Sequence, residues 1–244
     1  VSYIFDLVEK NKESLNSLYY DKKMRTRNLN HYEKGSIKAC EAQAIYSVIV
    51  DKGYKKLIDI GTGPGFSCLY MAQALKTLGF GSDNCKVYSY DIIRGKLMNA
   101  KSNLKRFGLM EYVKFFCVNS SKGLKIHEDN SVDFVLIDGN HGYDSVVKDF
   151  KQAERIVRSG GCIAFDDCFP RPPENPGPRQ IVDSLISEGK NVEFVGDDIF
   201  DLFSYPCDGR EAARLHNKWI SREQSFCIKE KANPKEVLAL YFVD

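Results

Sequence analysis

With 244 residues, 43% of them hydrophobic, the chain can bury the core of one large domain. Its formal net charge of +2, from 35 Lys and Arg against 33 Asp and Glu, lacks the basic excess of a protein that tracks nucleic acid. No stretch reaches the roughly 18 apolar residues of a membrane span, and the opening VSYIFD lacks the basic and apolar regions of a secretory signal. The expectation is a cytoplasmic protein with neither nucleic acid nor membrane as partner.

The first thirty residues read as a helix and a polar connection holding the basic run 22–27, a solvated helix end. Residues 1–35 are expected to cap the core and to offer a place for a dimer contact, and 36–244 to form a single catalytic core. From Ile37 to Val50 the apolar positions Ile37, Cys40, Ala44, Ile45, Val48 and Ile49 follow helical spacing, with Ser36 as N-cap and Gly53 as stop. Strands and helices then alternate: strand 57–60, helix 66–78, strand 86–91, helix 96–107, strands 113–118 and 132–138, helix 145–157, strand 162–166. In the last helix Val146, Phe150, Ala153 and Val157 form one stripe, and Gly160-Gly161 are read as its terminator. Such alternation predicts right-handed crossovers and a parallel sheet with helices on both faces. The proline-rich loop 169–178 interrupts the pattern. A helix over 180–188 and strands over 192–195 and 225–230 are expected after it.

Eight cysteines occur without a C-x-x-C pair. Cys68, Cys117 and Cys162 sit in apolar patterns and are read as reduced core residues. His31, His127, His141 and His216 are scattered, so a zinc site of Cys and His has no support.

Two segments carry chemistry. The first is KLIDIGTGPGFS over 56–67, a strand breaking into a glycine turn and a helix. Gly61, Gly63 and Gly65 are expected to let a ligand approach the backbone, with the amides of the next helix facing it. The spacing is G-x-G-x-G, not the dinucleotide pattern G-x-G-x-x-G. The second lies at two strand ends, FVLIDGNH over 134–141 and IAFDD over 163–167. If these strands are neighbours, Asp138, Asp166 and Asp167 converge into an oxygen-rich cluster suited to Mg²⁺ or another divalent cation. Without a cation such carboxylates repel or take up protons.

With Asp59 ahead of the turn, the first segment resembles motif I of the class I S-adenosylmethionine-dependent methyltransferases. Asp138, His141 and Asp166-Asp167 resemble the acid, base and acid pair of the metal-dependent O-methyltransferases, the macrolide-sugar type more closely than the catechol type. The resemblance runs from about Ser36 to Cys168. It implies a Rossmann-like fold with a seven-stranded, mostly parallel sheet closed by an antiparallel pair. It implies S-adenosyl-L-methionine held by Asp59, Gly61, Thr62, Gly63, Gly65 and Ser67, with Asp91 on the ribose hydroxyls, Ser120 near the adenine, and Ile92, Asp138, Ser36 and Ile37 as further contacts.

The reaction implied is attack of a small-molecule hydroxyl on the cofactor's methyl group. Asp138, Asp166 and Asp167 would hold the cation and His141 would take the proton. The acceptor walls are expected in loop 169–178, the N-terminal helix and 199–219, with Tyr19, Tyr20 and Trp219 as aromatic candidates. The same pattern admits a metal-independent N- or O-methyltransferase, a nicotinamide-dependent oxidoreductase or a non-catalytic cofactor-binding module.

Overall fold

The computed structural model describes residues 3–4, 6–11, 37, 39–83, 85–168, 177–195 and 238–244. Seven strands form one sheet: β1 Lys56–Ile60, β2 Lys86–Asp91, β3 Val113–Cys117, β4 Val132–Ile137, β5 Val157–Phe165, β6 Asn191–Val195 and β7 Leu238–Phe242. Their order is β3-β2-β1-β4-β5-β7-β6. The first five strands are mutually parallel, and β7 runs antiparallel to both β5 and β6. The chain leaves β1 toward β2 and β3 on one side and later returns to β4 on the other. The end of β1 is therefore the topological switch point, where open sheets of this kind bind ligands.

Helices α1 Ala39–Lys52, α2 Phe66–Thr77, α3 Arg94–Arg106, α4 Ser120–Gly123, α5 Tyr143–Ile156 and α6 Arg179–Ser187 complete the described core. Strand alternation divides the interior. Leu57, Val87, Phe134, Leu136, Cys162 and Ala164 face α1 and α2, together with Ile4, Leu7 and Val8 of the N-terminal residues. Ile58, Ile60, Tyr90, Val135, Ile137, Ile163 and Phe165 face α5 and α6.

Three local readings change. Helix α5 ends at Ile156 and β5 starts at once with Val157, so Gly160-Gly161 lie inside the strand and do not terminate the helix. Gly160 has φ +74°, and a Cβ on Gly161 would stand 2.8 Å from the Asp133 carbonyl oxygen, where the β4–β5 register shifts. These glycines serve a strand irregularity.

The partner of β6 is Leu238–Phe242, an apolar run that the sequence reading left unassigned. The strand expected over 225–230 lies outside the described residues. Cys68 and Cys162 are buried free thiols as expected, but Cys117 is exposed, because β3 is an edge strand with open flanks.

Candidate active site

The sheet's face alternation assembles the site. Asp59 shares a face with Leu57, Asp138 with Leu136 and Asp166 with Ala164, so these carboxylates all rise on the α1/α2 side. Their backbones are stitched at the rim. The Asp138 amide donates to the Ile60 carbonyl at 2.9 Å and the Asp166 amide to that of Ile137 at 3.1 Å. The loop after β1 hangs on β2 through the Gly61 and Thr62 amides, which both donate to the Tyr90 carbonyl at 2.9 and 3.3 Å.

Gly61, Gly63 and Gly65 have φ of +98°, +50° and +89°, a region costly for any side chain. Two of them also answer to the protein's own packing. A Cβ on Gly61 would overlap the Asp138 carbonyl, and one on Gly65 would sit 2.7 Å from the Ala100 Cβ of α3. Close approach of backbone to backbone at Gly61, and of loop to helix at Gly65, therefore requires glycine there in its own right, beside the room that the turn was expected to give a ligand.

Asp59 is fully buried and its oxygens are taken. Oδ1 accepts from Ser67 Oγ at 2.7 Å, and Oδ2 from Ser89 Oγ at 2.6 Å and Cys68 Sγ at 2.9 Å. Burial pushes its carboxyl up, against the pull of these donors. The single Ser89 proton goes to Asp59, so Thr62 Oγ1 donates to Ser89 at 2.5 Å. Asp59, Thr62 and Ser67 therefore brace the loop from beneath through Ser89. The sequence signal for Ser89 was a polar residue inside a buried strand, two positions before Asp91.

Asp91, also buried, accepts from the Gly63 amide at 3.1 Å and the Ile93 amide at 2.8 Å, which fixes the carboxylate against the loop. Ile92 beside it is 68% exposed, an apolar surface at the rim. Ser120 opens α4 and donates to Asp149 Oδ1 at 2.6 Å. Ile37 is buried in the core, and Ser36 lies outside the described residues, as do Tyr19, Tyr20, Trp219 and the segments 169–176 and 199–219.

At the next two strand ends the structure brings Asp138, His141 and Asp166 together, with one ligand atom of each within 4.8 Å of the others. Asp138 and Asp166 are hydrogen-bonded to one another. Burial first, then neighbouring negative charge, raises both carboxyls well above the ordinary range. Two close carboxyls whose charged forms are disfavoured by burial and by one another are a site that a cation would stabilise.

His141 is bracketed, with Nε2 3.4 Å from Asp138 Oδ1 and Nδ1 3.2 Å from Asp167 Oδ2. Asp167 has φ +53° and stands across His141 from the cluster, outside the three-residue group that sequence proximity led one to expect it to join.

Residues 58–168 match the family described as "Methyltransferase domain", a span from β1 to just past Asp167 that holds the cofactor and metal candidates except Ser36 and Ile37. This stretch is similar to a methyltransferase domain. Protein-L-isoaspartate O-methyltransferase of Pyrobaculum islandicum is 22% identical over 138 residues, 57% of each chain. The chain spans about half the length of the curated relatives it matches.

Among solved structures, cofactor-bound Rv0187 from MTB superposes with a TM-score of 0.62 at 15% identity, covering 95% of each chain. The O-methyltransferase from Bacillus cereus in complex with SAH gives 0.58 at 14% identity, covering 98% of this chain and 91% of that one. The expected class I methyltransferase fold holds. No helix among the described residues is long and apolar enough to cross a membrane.

Proposed function

We propose that the methyltransferase transfers the methyl group of S-adenosylmethionine to a hydroxyl of a small molecule with the help of a divalent cation. The observation that carries this reading is the Asp138–His141–Asp166 cluster, one strand end from the glycine turn that faces Asp91. An all-oxygen pair plus an imidazole suits Mg²⁺ or another hard divalent ion, whose charge would offset the burial and mutual repulsion that raise the Asp138 and Asp166 carboxyls. Held by Asp138 and Asp166, such an ion would supply Lewis-acid polarisation of the acceptor hydroxyl.

Asp91 receives the ribose hydroxyls, Ile92 covers the adenine, and the turn at Gly61–Gly65 accommodates the amino-acid end. Asp167 holds His141 by Nδ1, which leaves Nε2 directed toward the cluster as the proton acceptor. A base so placed contributes about 10²–10⁴-fold. Asp167 in this reading orients the base and is not a metal ligand. The compactness of the cluster favours one alternative, in which His141 is itself the third ligand.

The relatives' names support O-methylation, since Protein-L-isoaspartate O-methyltransferase and the Bacillus cereus O-methyltransferase both bear it. Release of S-adenosylhomocysteine, screened against hydroxylated metabolites with Mg²⁺ and with chelator, tests the whole reading. Turnover that persists undiminished in chelator overturns the metal, and turnover only on amines overturns the hydroxyl. His141→Ala distinguishes the two roles of the imidazole: a base leaves Mg²⁺ affinity by titration calorimetry unchanged, and a ligand does not.

A further inference from the structure

We propose that the β3 end of the molecule docks on an anionic membrane surface. The small net charge of the chain hides an asymmetry. Residues 86–126 hold nine Lys and Arg against two acids, a net +7 within a chain of +2, so all the rest sums to −5. These residues build β2, α3, β3 and α4, at the end of the sheet where β3 is the edge strand. Of the two acids, Asp91 is buried and bonded to the Gly63 and Ile93 amides, so only Glu111 is exposed.

Arg94, Lys96, Lys101, Lys105, Lys114 and Lys125 are all exposed, and none of these six has an ion pair among the described residues. Elsewhere the pattern differs. Arg155, Arg158 and Arg179 are each held by an aspartate, Asp129, Asp133 and Asp183 in turn. Unpaired like charges repel one another, and an anionic partner relieves that repulsion.

Apolar side chains set this end apart from a merely solvated basic face. Ile93 is 48% exposed, Met98 60% and Ile126 62%, half of the large hydrophobic side chains that stand exposed among the described residues, and Ile92 beside them is a fourth. Helix α3 turns Leu97, Ala100 and Leu104 inward. Arg94, Met98, Lys101 and Lys105, at i, i+4, i+7 and i+11, therefore run as one stripe along its flank. Lys101 Nζ lies 5.8 Å from the centre of the Phe115 ring, which brings that stripe against β3. On the other face of the strand, Lys114 Nζ lies 5.8 Å from the centre of the Tyr88 ring. Cationic groups thus border the sheet edge on both faces.

An ammonium on a long stem beside an exposed aliphatic chain is the combination that holds a protein at a lipid interface, with the charge at the headgroups and the chain in the acyl boundary. Nucleic acid would use the same cations but gives an isoleucine or a methionine nothing to enter. The rings that stack on bases are also committed here, since Phe116 is stacked with both Tyr88 and Tyr90, at 6.2 and 5.0 Å between centres. This docking needs no cofactor.

The test is co-sedimentation of the full chain with vesicles of phosphatidylcholine and of phosphatidylcholine mixed with phosphatidylserine. The protein should bind the mixed vesicles, release them as salt rises and ignore the neutral ones. Lys101→Glu should weaken binding by about 10- to 30-fold, at roughly fivefold for each unit of charge. Lys190→Glu makes the same change in net charge beside β6, at the opposite end of the sheet, and should leave binding within about twofold, because the surface potential does not reach there. Met98→Ser keeps every charge and should weaken binding by about threefold or more. If Lys101→Glu does not fold, Lys105→Glu on the same stripe takes its place.

A native protein that leaves the mixed vesicles unbound, equal losses from the charge reversals at Lys101 and Lys190, or an unchanged affinity in Met98→Ser each overturns the proposal. Retention of single-stranded RNA by a protein that ignores vesicles also overturns it, and assigns these cations to nucleic acid instead.

Discussion

A side chain on Gly61 would collide with the main-chain carbonyl of Asp138, so the glycine turn after β1 and the backbone after β4 are packed directly together. The two halves of the site cannot move independently at that point. Gly61→Ala adds both this overlap and the strain of φ +98°. It is expected to destabilise the protein by on the order of 3 kcal/mol. A urea titration measures that loss, and S-adenosylhomocysteine affinity should fall with it. An unchanged midpoint would show that the two strand ends can separate freely.

Ser89 and Asp91 sit two residues apart on β2 and should separate stability from binding. Ser89→Ala strips one donor from fully buried Asp59 and a partner from Thr62. The expected cost is about 1–3 kcal/mol in unfolding free energy with a small change in cofactor affinity. Asp91→Ala should weaken S-adenosylhomocysteine by about 10–100-fold in calorimetry. The reverse pattern would exchange the roles assigned to the two residues.

What the sequence disclosed here is what period and local turn chemistry can carry. The alternation from β1 to β5, the glycine turn and the acids at strand ends are all local patterns, and each stands within a few residues of its expected place. What it withheld depends on contacts distant along the chain. Ser89 beneath Asp59, Ala100 against Gly65 and Ser120 on Asp149 are separated by tens of residues, and no spacing rule joins them.

Strand β7 is short and far from its partner β5, so only the sheet identifies it. Asp167 directly follows a ligand candidate, yet its left-handed backbone swings it to the other side of His141. Asp149 did leave a trace, a carboxylate at the helical spacing of a buried stripe.

His127 gives an acid limb to stability. It is buried beneath β2, where Tyr90 Oη and Nε2 share a hydrogen bond of 2.7 Å and the Tyr88 ring packs edge-on. Burial first, then the charges of Lys56 and Arg155, push the imidazole down to about 4. An unfolded histidine titrates near 6.5, so between about 6.5 and 4 the unfolded chain binds the extra proton. Stability contributed here is full above that window and lost as pH falls through it, by on the order of 2–3 kcal/mol. His127→Gln keeps an acceptor for Tyr90 and should flatten this limb in thermal melts recorded from pH 7 to 4. A limb of unchanged depth would assign the acid sensitivity to another group.

The Asp138–Asp166 pair gives the opposite sign. Both carboxyls are raised in the folded protein, so above the unfolded value near 3.9 the native state binds more protons than the unfolded chain. Stability of the metal-free protein therefore falls as pH rises from about 4 through the folded pKa of the pair. Asp166→Asn removes one charge while keeping a hydrogen-bonding group beside Asp138, and should raise metal-free stability at pH 8 by about 1 kcal/mol or more. Mg²⁺ should stabilise the native protein by mass action, roughly 2.7 kcal/mol at a hundred times its dissociation constant, and leave Asp166→Asn nearly unmoved. Melting curves at pH 8 with and without Mg²⁺ measure both effects. An equal Mg²⁺ shift in the two proteins would place any cation away from these carboxylates, and the hydroxyl activation proposed above would then have to come from His141 alone.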